Sequence, residues 1–294
     1  MFQLFRKTRR KLFGPMRPDR RVAVLPLEGV ITEGRVMGPT GASVLDFLRQ
    51  IVDQEIQVLV LRINSPGGTV GASQELYATL RDLSEQHGIK IVASMADVAA
   101  SGGVYVAMAA DYILAQPGTI TGSIGVIIRA GNLRRLLDKI GVDSDVVKSG
   151  RFKDILSVER ALSDEERALL QTTIDDTYAQ FVGVVAARRQ QSVETVKTYA
   201  DGRIFSGQQA LDLGLVDALG GFNQAVNKAR ELAGIPAQPP PRWVRHEKKK
   251  PLLQKLTQGT AQWGVTQQLF QWLEQDQALS GQPLWLSPCL GTRL

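Results

Sequence analysis

Apolar residues fall into short runs separated by amphipathic stretches, and the two alternate from about residue 22 to 148. RVAVLPLEGVI (21–31) reads as a strand rich in branched side chains. IQVLVLRINS (56–65) is so continuously apolar that it fits a strand buried on both faces of a sheet. Between them, SVLDFLRQIVD carries Val44, Leu45, Phe47, Leu48, Ile51 and Val52 at helical spacing. A helix is predicted over about 72–86, strands over IKIVAS (89–94) and DYILAQ (111–116), and a helix over 132–140; the alternation closes on SDVVKS (144–149). Strand–helix alternation of this kind predicts an α/β fold with a mostly parallel sheet and flanking helices.

The pattern changes after Ser163, which forms a capping box with Glu166 and opens a long helix, EERALLQTTIDDTYAQFVGVVAARR. A helical C-terminal lobe is expected to run to about Gly234, interrupted by DGRIFSGQQALDLGLVDALGG, which reads as structural. Residues 235–251 hold Pro236, Pro239, Pro240, Pro241 and Pro251 with Lys248, Lys249 and Lys250, and read as a linker. Beyond it, Leu252, Leu256, Trp263, Phe270 and Leu273 lie on one stripe of an amphipathic helix. Four regions follow: a basic tail (1–21), a main domain (22–234), the linker (235–251) and an amphipathic extension (252–294).

Charge sharpens this division. The net charge of +6 sits in the first 21 residues, where eight cations face Asp19 alone; that tail is +7 and the remaining 273 residues are at −1. A basic tail interleaved with Phe2, Leu4, Phe5, Leu12 and Phe13 suits an anionic membrane surface better than nucleic acid. Gly14, Pro15, Arg17 and Pro18 interrupt any signal-peptide core. The longest weakly polar run, 98–110, is 13 residues between Asp97 and Asp111, short of the roughly 20 a spanning helix needs. It is expected to be buried core. Cys289 is the single cysteine, which excludes an intramolecular disulfide and a Cys-rich metal site.

Three glycine-containing turns carry the candidate chemistry: Asn64-Ser65-Pro66-Gly67-Gly68, Ala100-Ser101-Gly102-Gly103 and Thr121-Gly122-Ser123-Ile124-Gly125. Glycines after a strand let backbone N–H groups approach a ligand, where they can hold a phosphate or a developing oxyanion. NSPGGT is not a P-loop, so the phosphate option is the weaker. Ser101 is either an N-cap serine or a nucleophile at the start of a helix. A nucleophile needs a base. The two histidines are poorly placed, His87 in the polar EQHG stretch and His246 in the linker, which leaves a lysine. A lysine acts as a base only when neutral, so it must lose water or sit beside a cation. Lys153, in SGRFKDIL between Phe152 and Ile155, is the candidate, expected in a buried loop; its alternative is an ordinary surface lysine.

Taken together, RINSPGG, ASGGVYVAMAADYILAQPGTITGSIGVI, SGRFKDIL and DGRIFSGQQALDLGLVDALGG resemble the signal peptide peptidase A (protease IV-like) family of serine–lysine peptidases over about 22–232. The resemblance implies a Clp protease/crotonase-type α/β fold, no cofactor or metal, and a homo-oligomeric ring. It implies peptide substrates: remnant signal peptides and other hydrophobic, membrane-associated segments. Ser101 matches the family nucleophile, Lys153 the general base, Gly68 an oxyanion donor and Ser123 a hydroxyl that orients the lysine, with the Gly102 N–H as second donor. Short members of the family place the serine and the lysine on neighbouring subunits. The tail and the C-terminal extension are not core family features, and they lead us to expect peripheral attachment to a membrane; the interrupted signal-peptide core leads us to expect its cytoplasmic side. Two alternatives stay open at this stage: a crotonase-type acyl-CoA enzyme and a catalytically silent membrane scaffold ring.

Overall fold

The computed structural model describes residues 19–32, the helical positions 44, 45, 48 and 51, and residues 56–237, 240–243 and 284–286. Strand β1 (Asp19–Glu28) is followed by β2 (Val58–Ser65), the short β3 (Gly67–Thr69) and helix α1 (Val70–His87). Then come β4 (Lys90–Ala100), α2 (Gly102–Ala107), β5 (Tyr112–Ala115), β6 (Ile120–Gly122) and α3 (Arg134–Ile140). The C-terminal part holds α4 (Asp164–Arg189), α5 (Val193–Lys197), β7 (Ile204–Ser206), α6 (Gly207–Asp212), β8 (Ala218–Leu219), α7 (Phe222–Ala233) and β9 (Pro241–Trp243). A last strand, β10 (Leu284–Leu286), comes from the far end of the chain.

Eight strands form one sheet in the order β7-β6-β4-β2-β1-β9, with β5 pairing β4 and β8. All its pairs are parallel except β6 with β7. Both faces are covered, as the continuous apolar runs predict. Ala23, Leu25, Leu59, Leu61, Ile63 and Ile91 point to the larger core with α1, α2 and α4. Val22, Val24, Val58, Val60 and Val92 point the other way, onto Ala225, Val226 and Ala229 of α7. Val44, Leu45, Leu48 and Ile51 are buried in the larger core at the spacing that predicts their helix. An aromatic chain pins α2 between its neighbours: the Tyr105 ring lies 5.1 Å from Tyr77 of α1 and 5.3 Å from Phe181 of α4.

Residues 98–110 are buried throughout, and they divide the work: the end of β4, a tight turn, and α2. Strand β4 is longer than the six residues expected because it serves two partners in turn. Its Val92–Ser94 part pairs β5 and its Val98–Ala100 part pairs β6. The capping box forms as predicted, Glu166 N donating to Ser163 Oγ at 3.2 Å and Ser163 N to Glu166 Oε2 at 2.9 Å. SDVVKS, in contrast, forms no strand: 142–148 is irregular and exposed, because no described strand offers its valines a partner, and Val147 is 102% exposed. Residues 241–243, within the stretch expected as a linker, add the edge strand β9 beside β1. Among the described residues no helix is long and apolar enough to cross a membrane. Most of the basic tail and the amphipathic stripe of 252–273 lie outside the described residues.

Candidate active site

The three glycine-containing turns come together because β2, β4 and β6 are parallel neighbours and each ends at one of them. Ser101 follows the last residue of β4 and precedes α2, and the chain reverses there through a strained backbone, φ 53° and ψ −116°. Its N–H donates to Gly122 O at 2.8 Å, which ties the Ser101 turn to the Gly122–Ser123 turn. Ser123 is itself at φ 51°, buried, with its N–H on Arg203 O at 2.7 Å. Thr121 Oγ1 donates to Ala99 O at 2.7 Å and fastens the same two strands.

The Ser101 side chain does not cap α2. Its Oγ is buried and has no hydrogen-bond partner among the described residues. A buried hydroxyl left unpaired costs about 1–3 kcal/mol, and a non-glycine residue at such φ,ψ costs about as much again. Two local penalties at one serine are unexplained by the N-cap alternative. They mark Ser101 as the candidate for a role other than capping.

Gly68 lies beside α2 in β3. Ile31 passes along one edge of it, taking Thr69 N–H on its carbonyl at 2.9 Å and donating its own N–H to Gly67 O at 2.8 Å. Strand alternation turns the Gly68 N–H to the opposite edge. On that edge the backbone of β10 runs antiparallel, with Trp285 opposite Gly68. Glycine is required here for a reason the sequence did not reveal: a Cβ would fall 1.9 Å from the Ile31 carbonyl oxygen. Gly102, buried, opens α2 directly after Ser101.

Lys153 is not in this cluster. It belongs to a turn at 151–156 and is exposed, so the expectation of a buried loop is corrected. Since Ser101 Oγ has no partner, the Lys153 ammonium is beyond hydrogen-bond reach of it within one chain. The reason is the arm that carries it: 129–158 has almost no core of its own, and α3 buries no residue. Leu133, Leu136, Ile140, Val142, Val146 and Val158 are each 42% to 62% exposed.

The segment 84–236, which includes Ser101, Ser123 and Lys153, matches the model of peptidase family S49. "Putative protease slr0021" of Synechocystis sp. is 48% identical over 277 residues, covering 91% of this chain and 96% of that protein. The chain belongs to peptidase family S49. "Serine protease SPPA, chloroplastic" of Arabidopsis thaliana is 34% identical over 226 residues, covering 74% of this chain and 33% of that protein, so the chain spans about a third of that relative. Among solved structures, a point mutant of ClpP1 from Listeria monocytogenes aligns at TM-score 0.47 and 16% identity, covering 71% of this chain and 95% of that one. Membership in a peptidase family sets aside the acyl-CoA alternative.

In this S49 protease, charge fixes the base of the Lys153 turn. Arg160 holds the buried Glu166 carboxylate and brings its pKa down to about 2, from an ordinary 4.5, with help from the Ser163 N–H. Arg160 and Lys148 hold Asp154 well below the usual carboxylate range. A carboxylate depressed in the folded state stabilises the fold above its unfolded pKa, and that contribution fades as pH falls towards the folded value. Thermal midpoints are therefore expected to fall between pH 5 and pH 2, and to fall less in Glu166→Gln. Equal pH slopes in the two proteins would contradict the pairing. Sequence reasoning took Glu166 only as a cap and missed Asp154 and Arg160 altogether.

Proposed function

We propose that the chain is a serine endopeptidase in which Ser101 is the nucleophile and Lys153 the general base, working on extended apolar peptides such as remnant signal peptides or membrane-associated segments. The observation that carries this reading is the buried, unpaired Ser101 Oγ at a strained strand-to-helix turn. Ser101 Oγ attacks the scissile carbonyl carbon while its proton passes to the neutral Lys153 amine. The carbonyl oxygen becomes an oxyanion held by the Gly68 and Gly102 N–H groups. Collapse breaks the C–N bond, the leaving amine takes the proton from the lysine, and water then hydrolyses the serine ester by the same steps in reverse. The Ser123 hydroxyl orients the lysine amine.

Two features support a shared site in a homo-oligomer. Ser101 and Lys153 are apart within one chain, and the arm that carries Lys153 exposes a row of large apolar side chains. An apolar surface of this extent marks an interface. A second copy docked on it carries Lys153 to its neighbour's Ser101 and removes the water that keeps a lysine protonated. The edge of β3 supports the substrate class. It already takes a peptide of this chain, Leu284-Trp285-Leu286, as an antiparallel strand; a substrate takes that place, and exposes the Gly68 N–H to its own carbonyl, only by displacing β10, and backbone pairing of that kind accepts any extended segment.

A fluorophosphonate, which reacts only with an activated serine, tests the nucleophile. One adduct per chain on the Ser101 peptide is expected by mass spectrometry, and none in Lys153→Ala over the same interval. An adduct on another serine, or equal labelling of both proteins, would overturn the assignment.

A further inference from the structure

The Lys153 turn stands on an exposed arm with almost no core of its own, yet a general base must be placed to within a fraction of an ångström. Something other than apolar packing has to hold it. The residue next to Lys153 answers this. Asp154 is paired on both its oxygens, Oδ1 by Lys148 Nζ and Oδ2 by Arg160 Nε at 3.0 Å. Arg160 also donates from Nη2 to the Asp154 carbonyl at 3.3 Å and from Nη1 to the Ala161 carbonyl at 3.2 Å.

The other side of the Arg160 guanidinium forms a fork on Glu166, with Nη2 to Oε1 at 2.5 Å and Nη1 to Oε2 at 2.7 Å. Glu166 is a fixed point: it is 3% exposed, and its carboxylate and backbone N–H are both engaged with Ser163 at the start of the 26-residue α4. Arg151 adds an ion pair to Glu165 on the same turn of α4. Both residues flanking Lys153 by one or two positions are thus tied to α4, while the Lys153 ammonium has no partner among the described residues. Helix α4 is seated in the main core through Phe181, Val182 and Val185. The path from core to base is Phe181, α4, Glu166, Arg160, Asp154, Lys153.

We infer that Arg160 is a positioning residue, which braces the Lys153 turn against the start of α4 by gripping Asp154 with one side of its guanidinium and Glu166 with the other. This rests on Lys153 being the base. Planarity matters to the role. A guanidinium can bridge two carboxylates in a fixed plane, whereas an ammonium offers one point charge. Arg160→Lys should therefore recover part of the function and not all of it.

The test uses the full-length protein and an activated ester substrate, which keeps low residual rates measurable. Arg160→Ala is expected to lower kcat about 100-fold with KM within twofold, because it misplaces the base without touching the peptide edge. Arg160→Lys should lie between, about tenfold down. In a Lys153→Ala background, Arg160→Ala should have no further effect, since a residue acting through the lysine has nothing left to act on. A residue that merely supports the fold would lower that residual rate by the same factor again, which would overturn the inference. Wild-type kcat in Arg160→Ala beside an inactive Lys153→Ala would also overturn it, leaving the base assignment in place. Full activity in Lys153→Ala would remove the base assignment itself. Near-UV circular dichroism establishes that each variant is folded, and Arg160→Lys carries the comparison if Arg160→Ala is not.

Discussion

Ser101→Ala should lower peptide hydrolysis by about 10⁴-fold or more while leaving the fold intact, and Ser101→Gly should be equally inactive but more stable than the natural protein. The two expectations come from the same observation. At φ 53° and ψ −116° a serine pays for its Cβ, and glycine does not. Relief of that strain is worth about 1–3 kcal/mol, offset in part by the greater freedom of glycine in the unfolded chain. Removing the buried hydroxyl also removes an unsatisfied polar group, so Ser101→Ala should be no less stable than the natural protein. Urea midpoints measured beside peptide turnover decide the matter. A glycine variant less stable than the natural protein would mean that the turn is not strained, and the sharp-turn account of Ser101 would fail with it.

Gly68→Ala is expected to damage fold and activity together. Its Cβ would lie 1.9 Å from the Ile31 carbonyl oxygen and 2.6 Å from the Ile31 carbon and nitrogen, all backbone atoms. No rotamer change relieves such a contact, so β3 or the 29–31 segment must move. Overpacking of this kind costs about 1–3 kcal/mol. The same movement shifts the Gly68 N–H from the oxyanion position proposed for it, and losing one such donor costs about 10²–10³ in kcat. Gly71, three residues on at the start of α1, is the control: a Cβ there meets nothing within 4 Å, so Gly71→Ala should leave stability unchanged or slightly raised. A Gly68→Ala protein with natural stability and turnover would contradict the close approach of Ile31.

Much of this architecture is legible in the sequence because burial on two faces leaves a strong pattern. RVAVLPLEGVI, IQVLVLRINS and DYILAQ all carry strands, and the Ser163–Glu166 cap marks the start of α4 to the residue. The short strands β3, β6, β7 and β8, of two or three residues each, are too brief to show a period. Ser101 was legible as a hydroxyl at a strand-to-helix junction, but not its strain, which depends on what Gly122 and α2 impose. Lys153 shows the limit most clearly. Phe152, Ile155 and Leu156 suggest burial and are themselves half-buried, but Lys153 among them is exposed. Neither was the brace visible: Asp154, Arg160 and Glu166 are spaced by six residues, which puts them on different faces of a helix and about 20 Å apart along a strand, so the spacing acquires meaning only when the turn folds back onto α4.

In the mechanism proposed above, one chain supplies the serine and another the lysine. Mixing inactive Ser101→Ala with inactive Lys153→Ala under conditions that exchange subunits, with assembly followed by light scattering, tests it most directly. Assemblies of the two should contain junctions where an intact Ser101 meets an intact Lys153, and about a quarter to a half of the natural rate should return, depending on how the subunits distribute. Mixed assemblies that form and remain inactive would contradict it.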